Sequence, residues 1–479
     1  MFRQLRTLLV LSLLGLAVAL PSTAAAANGE RPVLAATDGD ELVPGFDWSV
    51  RTYAARCGGD GLSLDVDGAR RWKVAIGSAA PRKGDFSEAV DIASGEDVRI
   101  SYVRRNGKVR NAYVRCLPED MFDFDFKTVR EGGPKLFAVQ ISPSYGVVMS
   151  RAGAPVWWLD SQDLPFDTKI YPDGTVGWNA GGQDGVVDYG LYEIRTLTGK
   201  LTRTIGSATG GFIDVHGFGT LPNGSVLVGA PTFVDGVDLT GYGGSASARV
   251  RNTAIEELTP AGDLVRSWDS GDHIGHDETP ARWWEPIVAA NPANYDVSHW
   301  NSVDVVGKYM YLSFRHLDAV YKVNRRSGRI IWKLGGTKTN KSLEVRGDPR
   351  GDDPLNGQHD ARVLEDGTVT VFDNSTRLSR PPRAVQYRIN EDKGIARMVT
   401  EVTDPKVTVS GAGGSVRRLD DGWLINWGVS NPGRFGAYNE RGKPIFRLTY
   451  NPGASYRANV VPGSITFADL RKAMDRMSR

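Results

Sequence analysis

Three histidines stand at one register of a repeating unit. His216 opens HGFGTLPNG, which ends at Gly224; His299 opens HWNSVDVVG, which ends at Gly307; His359 opens HDARVLEDG, which ends at Gly367. Each imidazole precedes the glycine of an expected strand–turn–strand hairpin by the same interval. All six histidines of the chain fall between His216 and His359. If the repeats surround an axis, equivalent positions face that axis and the three imidazoles converge. The same register carried past the turn brings Thr232, Arg315 and Ser375 back to the histidine level, with Ser430 in the next repeat. Arg315 is expected beside His299, and Asn301 one side-chain repeat inward on the same strand face.

Two chemistries use three convergent imidazoles. Neutral imidazole is the commonest transition-metal ligand, and three of them with an open position make a catalytic zinc or iron site. The other chemistry is group transfer, with one imidazole as nucleophile, another moving protons, and cationic donors holding an anion. Arg315 favours the second. A guanidinium is repelled by a divalent cation in a low-dielectric pocket but forms bidentate hydrogen bonds to a tetrahedral oxyanion. Asn301 adds a neutral donor for the same oxygens. The competing readings are a metal-dependent hydrolase or oxygenase built on the same histidines, and a non-catalytic ring that binds an anion.

The elements that must position these residues are short strands. From Pro118 to about Pro462 two kinds of hairpin alternate. One has a bare turn, as in YPDGTVGWN from Tyr171, LPNGSVLVG from Leu221, LEDGTVTVF from Leu364 and LDDGWLINW from Leu419. The other has a polar turn before an apolar strand, as in IEELTPAGDLVRSW from Ile255 and VYKVNRRSGRIIWKL from Val320. Asp-Gly and Asn-Gly between alternating strands are strong hairpin signals. Paired hairpins make four-stranded units, and their recurrence predicts an all-β chain with a six-bladed β-propeller over 126–463. KLFAVQI and GVVMSRAGAPVWWL, before Asp160, are expected to complete the last blade. Phe233 to Ser298 is expected to lie as loops over one face. His273 and His276, within it, read as members of a solvated loop, and His316 is expected to point away from Arg315's side of its strand.

Ahead of the ring, residues 28–125 read as a small disulfide-linked β-sandwich-like domain, with alternating strands LSLDV, WKVAI, DVRISYV and NAYVRC. Cys57 and Cys116 are the only cysteines, and an even pair bracketing one small module predicts a disulfide worth about 4 kcal/mol in the chain-entropy model. Residues 464–479 predict a terminal helix, opened by a Thr466–Asp469 capping box. Residues 1–27 read as a signal peptide. Arg3 and Arg6 precede the apolar run Leu8–Leu20, with cleavage near Ala27 and the mature chain secreted. The whole chain carries 58 basic and 56 acidic residues, so the mature protein lacks a bulk electrostatic attraction to nucleic acid or anionic membrane. Nothing in the sequence calls for a cofactor.

GQHDARVLEDGTVTVFDN, from Gly357 to Asn374, resembles the hallmark segment of the arylsulfotransferases, secreted propeller enzymes. DVHGFGTLPNG, DVSHWNSVDVVG, LSFRHLDAVYKV and IIWKLGG resemble that family's other motifs in order, and YVRCLPED resembles the end of its N-terminal domain. The resemblance implies transfer of a sulfuryl group from a phenolic sulfate ester to a phenolic acceptor, without a nucleotide donor. It further implies that His359 is the nucleophile that becomes a sulfohistidine. His216 and His299 match the other active-site histidines, Arg315 the arginine that holds sulfuryl oxygens, and Asn301 an additional donor.

Overall fold

The computed structural model describes residues 31–478 apart from 38–40, 58–60, 142–143, 162–163, 182–188, 291–293 and 452–454. The expected signal segment and its cleavage site lie outside the described residues. Strands dominate, with two α-helices among the described residues, α1 (Ala281–Ala290) and α2 (Phe467–Met477).

The alternation read in the N-terminal region produces two sheets. Val33–Ala36, Leu62–Asp67 and Phe86–Val90 form one; Leu42–Val43, Thr52–Ala55, Val109–Cys116, Asp97–Arg104 and Trp72–Ile76 form the other. Every second residue, including Leu62, Leu64, Val66, Val98, Ile100 and Tyr102, enters a shared core. Thr52–Ala55 runs parallel to Val109–Cys116, so the module is not wholly antiparallel. Cys57 and Cys116 are disulfide-bonded with Cα atoms 5.5 Å apart. The expected border at 125–126 falls inside the strand Asp123–Thr128, which pairs with Pro444–Asn451.

Beyond this module, antiparallel four-stranded runs follow one another. Their first strands are Leu164–Ile170, Ile213–Thr220, Trp300–Val306, His359–Val363 and Ser415–Leu419. One further sheet is assembled from distant parts of the chain. Leu136–Gln140, Tyr145–Ser150 and Pro155–Asp160 form a meander, and Ala458–Val460 adds to its Leu136–Gln140 edge. The first strands touch in cyclic order, and Ala458–Val460 meets both Ser415–Leu419 and Leu164–Ile170. Neighbouring sheets cover both faces of the inner strands, which explains why Leu136–Gln140 and Tyr145–Ser150 are buried at every residue.

The segment from Phe233 to Ser298 is more ordered than loops. It continues a long hairpin, Val226–Val237 with Ala248–Leu258, and then forms α1. Trp283, Trp284 and Ile287 of α1 pack with Leu239, Val250 and Tyr295. At the C-terminus, α2 carries the expected Thr466–Asp469 capping box and buries Leu470, Ala473 and Met474. Asp475 of α2 meets Arg115 at 2.5 Å, tying the helix to the N-terminal module.

Candidate active site

The inner strands break their ladders where the histidines stand. Register shifts fall between Asp214 and Phe218, between Trp300 and Ser302, and between His359 and Arg362. His299 and Asp360 take φ values of 50° and 56°, a left-handed conformation that costs a non-glycine residue about 1–3 kcal/mol. A bulge re-aims side chains out of the pleat, and here it turns polar groups into the axis. The rings of His216 and His299 lie 4.9 Å apart, centroid to centroid. Tyr456 stands 5.6 Å from His216 and 6.2 Å from His359, so the three expected histidines form one cluster around it.

His359 is backed by uncharged oxygens. Its Nδ1 lies 2.8 Å from Asn374 Oδ1 and 3.0 Å from the Gly357 carbonyl. The Asn374 amide nitrogen donates to Ser410 Oγ and the Gly413 carbonyl, which fixes the amide orientation. Both groups facing Nδ1 therefore accept, Nδ1 carries the proton, and the lone pair is on Nε2. A backbone N–H from Gly413 reaches that Nε2 at 3.2 Å. Burial, reinforced by the Arg315 charge, pushes protonation of His359 well below the usual histidine range. The ring is a neutral imidazole at physiological pH.

His216 and His299 are backed by carboxylates. His216 Nδ1 donates to Asp214 Oδ1 at 2.6 Å, and His299 Nδ1 donates to Asp296 Oδ2 at 2.6 Å. The same carboxylates receive the backbone N–H groups of their own histidines. Arg251 lies between them, 2.7 Å from Asp214 Oδ2 and 3.4 Å from Asp296 Oδ2. Burial alone would raise both carboxyl groups, but His216 and Arg251 outweigh it at Asp214. Arg251 and His299 outweigh it at Asp296, which is held well below the usual carboxylate range.

Arg315 stands where its register predicted, its backbone N–H donating to the His299 carbonyl at 2.8 Å. Its NH1 reaches His316 Nε2 at 2.8 Å, its NH2 the Gly411 carbonyl at 3.1 Å, and its guanidinium carbon lies 4.7 Å from the Trp283 ring centroid. Its Nε is buried and has no hydrogen-bond partner among the described residues.

His316 corrects the expectation that it turns away. The strand ends at Phe314, and Arg315–Leu317 form a 3-10 turn, so the alternation of a strand does not apply. The His316 ring lies 4.8 Å from His299, its Nδ1 donates to the Asp296 carbonyl at 2.6 Å, and its Nε2 accepts from Arg315. Burial, His299 and Arg315 together hold it neutral.

Asn301 is fully buried, but one of its amide N–H groups is engaged with the Gln358 carbonyl at 2.8 Å. It fixes the backbone immediately before His359. Its Oδ1 has no partner among the described residues. The hairpin opposite His359 also departs from the expected register, with Phe372 as its Cα partner. Asn374, not Ser375, faces the imidazole, and Ser375 instead donates to Asp373. Sequence reasoning did not find Asp214, Asp296, Arg251, Asn374 or the pocket floor. That floor is Tyr456 and Arg457. Tyr456 donates to the His216 carbonyl at 3.1 Å, while Arg457 donates to the carbonyls of His216 and Asn301 and pairs with Asp167.

Trp178, Trp284 and Trp300 are core side chains, whereas Trp283 also faces His316 at 4.6 Å. His273 stacks on Trp268 away from this group. Asp296, His299 and His316 bring ligand-type atoms within 4.8 Å of one another. Their atoms are already engaged, since His316 uses both ring nitrogens and Asp296 Oδ2 receives both His299 and Arg251. With Arg315 adjoining, this donor set does not fit a cation.

Among curated proteins none matches the chain. Solved structures with similar shape include a protein of unknown function from Bacteroides caccae, at 11% identity and TM-score 0.43, covering 68% of this chain and 98% of that one. TolB from Acinetobacter baumannii has 11% identity and TM-score 0.34, covering 77% and 80% respectively. AztD from Citrobacter koseri has 9% identity and TM-score 0.30, covering 83% and 94%. The family model for arylsulfotransferase (ASST) matches residues 187–451, which hold all the histidines, Asp214, Asp296, Arg251 and Arg315, while Tyr456 and Arg457 lie just beyond it. That match spans more than half of the sequence, and the chain belongs to the arylsulfotransferase family.

Proposed function

We propose that this protein is an aryl sulfotransferase that carries the sulfuryl group on His359 during a ping-pong exchange, within a six-bladed β-propeller. The observation that carries the reading is the setting of His359. Neutral acceptors hold its proton on Nδ1, leaving a nucleophilic lone pair on Nε2 inside a pocket with a guanidinium. In the first half-reaction Nε2 attacks the sulfur of an aryl sulfate, an N–S bond forms, and the S–O bond to the phenolic oxygen breaks. The long Gly413 contact yields as the bond forms. The departing phenolate takes a proton from a carboxylate-backed imidazole, His216 or His299. In the second half-reaction a phenol gives its proton back to that imidazole while its oxygen attacks sulfur and the N–S bond breaks.

Charge in a loose sulfuryl transition state gathers on the peripheral oxygens, by analogy with phosphoryl transfer. Arg315 supplies its unpartnered Nε–H to them, and Asn301 holds the strand that presents His359. The cyclic contact of first strands supports six blades, with the ring starting at the strand Asp123–Thr128 and α2 packed as a tail. The N-terminal module acts as a separately cored accessory unit. Export is supported by the Cys57–Cys116 disulfide, and no described helix is long and apolar enough to cross a membrane.

The test is to incubate the enzyme with sulfur-labelled p-nitrophenyl sulfate, omit acceptor, and map the labelled peptide. Label on the peptide containing His359, absent in His359→Asn, supports the reading. Label that persists in the variant overturns it.

A further inference from the structure

We infer that Arg251 is a positioning residue that couples the His216–Asp214 and His299–Asp296 dyads and holds down their affinity for a proton, so that either imidazole can release one. The inference rests on the acid–base roles proposed above. Its basis is a chain of contacts from one imidazole to the other, His216–Asp214–Arg251–Asp296–His299, with links of 2.6, 2.7, 3.4 and 2.6 Å. Arg251 is 7% exposed, and its two acceptors sit on different strands of one sheet, Ile213–Thr220 and Tyr295–Asp296. It stands on the long hairpin strand Ala248–Leu258, beside Tyr295–Asp296, which pairs in parallel at Arg251↔Asp296.

A carboxylate behind Nδ1 stabilises an imidazolium on the same ring. Two such carboxylates facing two adjacent imidazoles would hold protons too firmly for a base to be regenerated. Ping-pong transfer needs both forms in turn, an acid for the first phenolate and a base for the second phenol. Arg251 shares each carboxylate's charge with its histidine and so weakens that hold. Among the described residues, the other charged and titratable groups facing the dyads are His316 on the Asp296 carbonyl, Arg315 on His316, Tyr456 and Arg457 on the His216 carbonyl, and His359, whose electrostatics couple to both imidazoles. Arg315 instead meets His316 and the Gly411 carbonyl. Arg251 contacts the carboxylates themselves, and this separates the two arginines.

The experiment compares Arg251→Gln with Arg251→Lys. In Arg251→Gln the shared cation is gone and the imidazolium form is favoured, so the pH profile of kcat/KM for the phenol acceptor moves upward by about one to two pH units. Arg251→Lys keeps the charge and returns the profile most of the way. Equal loss of rate in both variants with an unmoved profile overturns the inference, since that is what a merely structural role would produce. Nitrogen NMR of the imidazoles in the resting protein is the second readout, and thermal melting confirms that each variant is folded. If the resonances of His216 and His299 titrate at unchanged pH in Arg251→Gln, the inference fails whatever the enzyme catalyses. If they shift upward while the wild-type protein transfers no sulfuryl group, the Arg251 assignment stands and the sulfotransfer reading falls.

Discussion

His359 and the His216–His299 pair occupy one pocket and are backed in opposite ways. Behind Nδ1 of His359 stand an amide oxygen and a backbone carbonyl; behind Nδ1 of the pair stand two ionised carboxylates. The rings are the same, and so is their place in the repeat. What separates them is the charge of the acceptor. An uncharged acceptor fixes the tautomer and raises basicity less than a carboxylate does, so burial and the Arg315 charge prevail and His359 stays unprotonated near neutrality. A carboxylate does both, which suits a group that gains and loses a proton.

The comparison can be broken most severely by removing the proposed nucleophile. His359→Asn is expected to lower transfer by about 10⁴-fold or more at every pH, measured with p-nitrophenyl sulfate and a phenol. Asn374→Asp converts the His359 seat into one like those of the pair. It should favour imidazolium at His359, lower transfer at pH 7 by about 10²-fold, and allow partial recovery as the pH is raised toward 9. An unchanged pH profile would show that the acceptor's charge is not what sets His359 apart.

Asp214→Asn and Asp296→Asn sharpen the other half. With phenyl sulfate, whose leaving group needs a proton, kcat should fall by about 10²-fold or more; with p-nitrophenyl sulfate the fall should be much smaller. Equal losses with both donors would remove the acid–base role. His316→Ala frees NH1 of Arg315 and should raise KM for the sulfate donor by about tenfold, the worth of one charge-assisted hydrogen bond. Removal of the Cys57–Cys116 bridge by a double Cys→Ser change should cost about 4 kcal/mol in denaturant unfolding and leave kcat nearly unaltered.

The histidine register was legible in the sequence because a turn glycine, Gly224, Gly307 or Gly367, marks each histidine hairpin and strand periodicity does the rest. Arg315 followed from the same rule. His316 did not, because one 3-10 turn replaces the alternation on which its outward direction depended. Asn374 was missed by one residue, since the bulge after His359 shifts the partner strand. Asp214 and Asp296 precede their histidines by different intervals, in DVH and DVSH, so no single spacing reveals both. Arg251 belongs to a hairpin extension that the spacing of the other repeats does not contain. Tyr456 and Arg457 were hidden for a different reason, because they act through backbone carbonyls and leave no pattern of their own.

The sheet shared by Leu136–Gln140 and Ala458–Val460 has a temporal meaning. Chain order delivers every histidine, carboxylate and arginine of the pocket walls before it delivers Tyr456 and Arg457. During synthesis, therefore, the walls exist before the floor, and a chain cut ahead of Tyr456 would own the reactive groups without the seat that aligns them. Such a chain would lack the side chains that hold the His216 and Asn301 carbonyls, so the last segment of the ring closes the histidine tier from below.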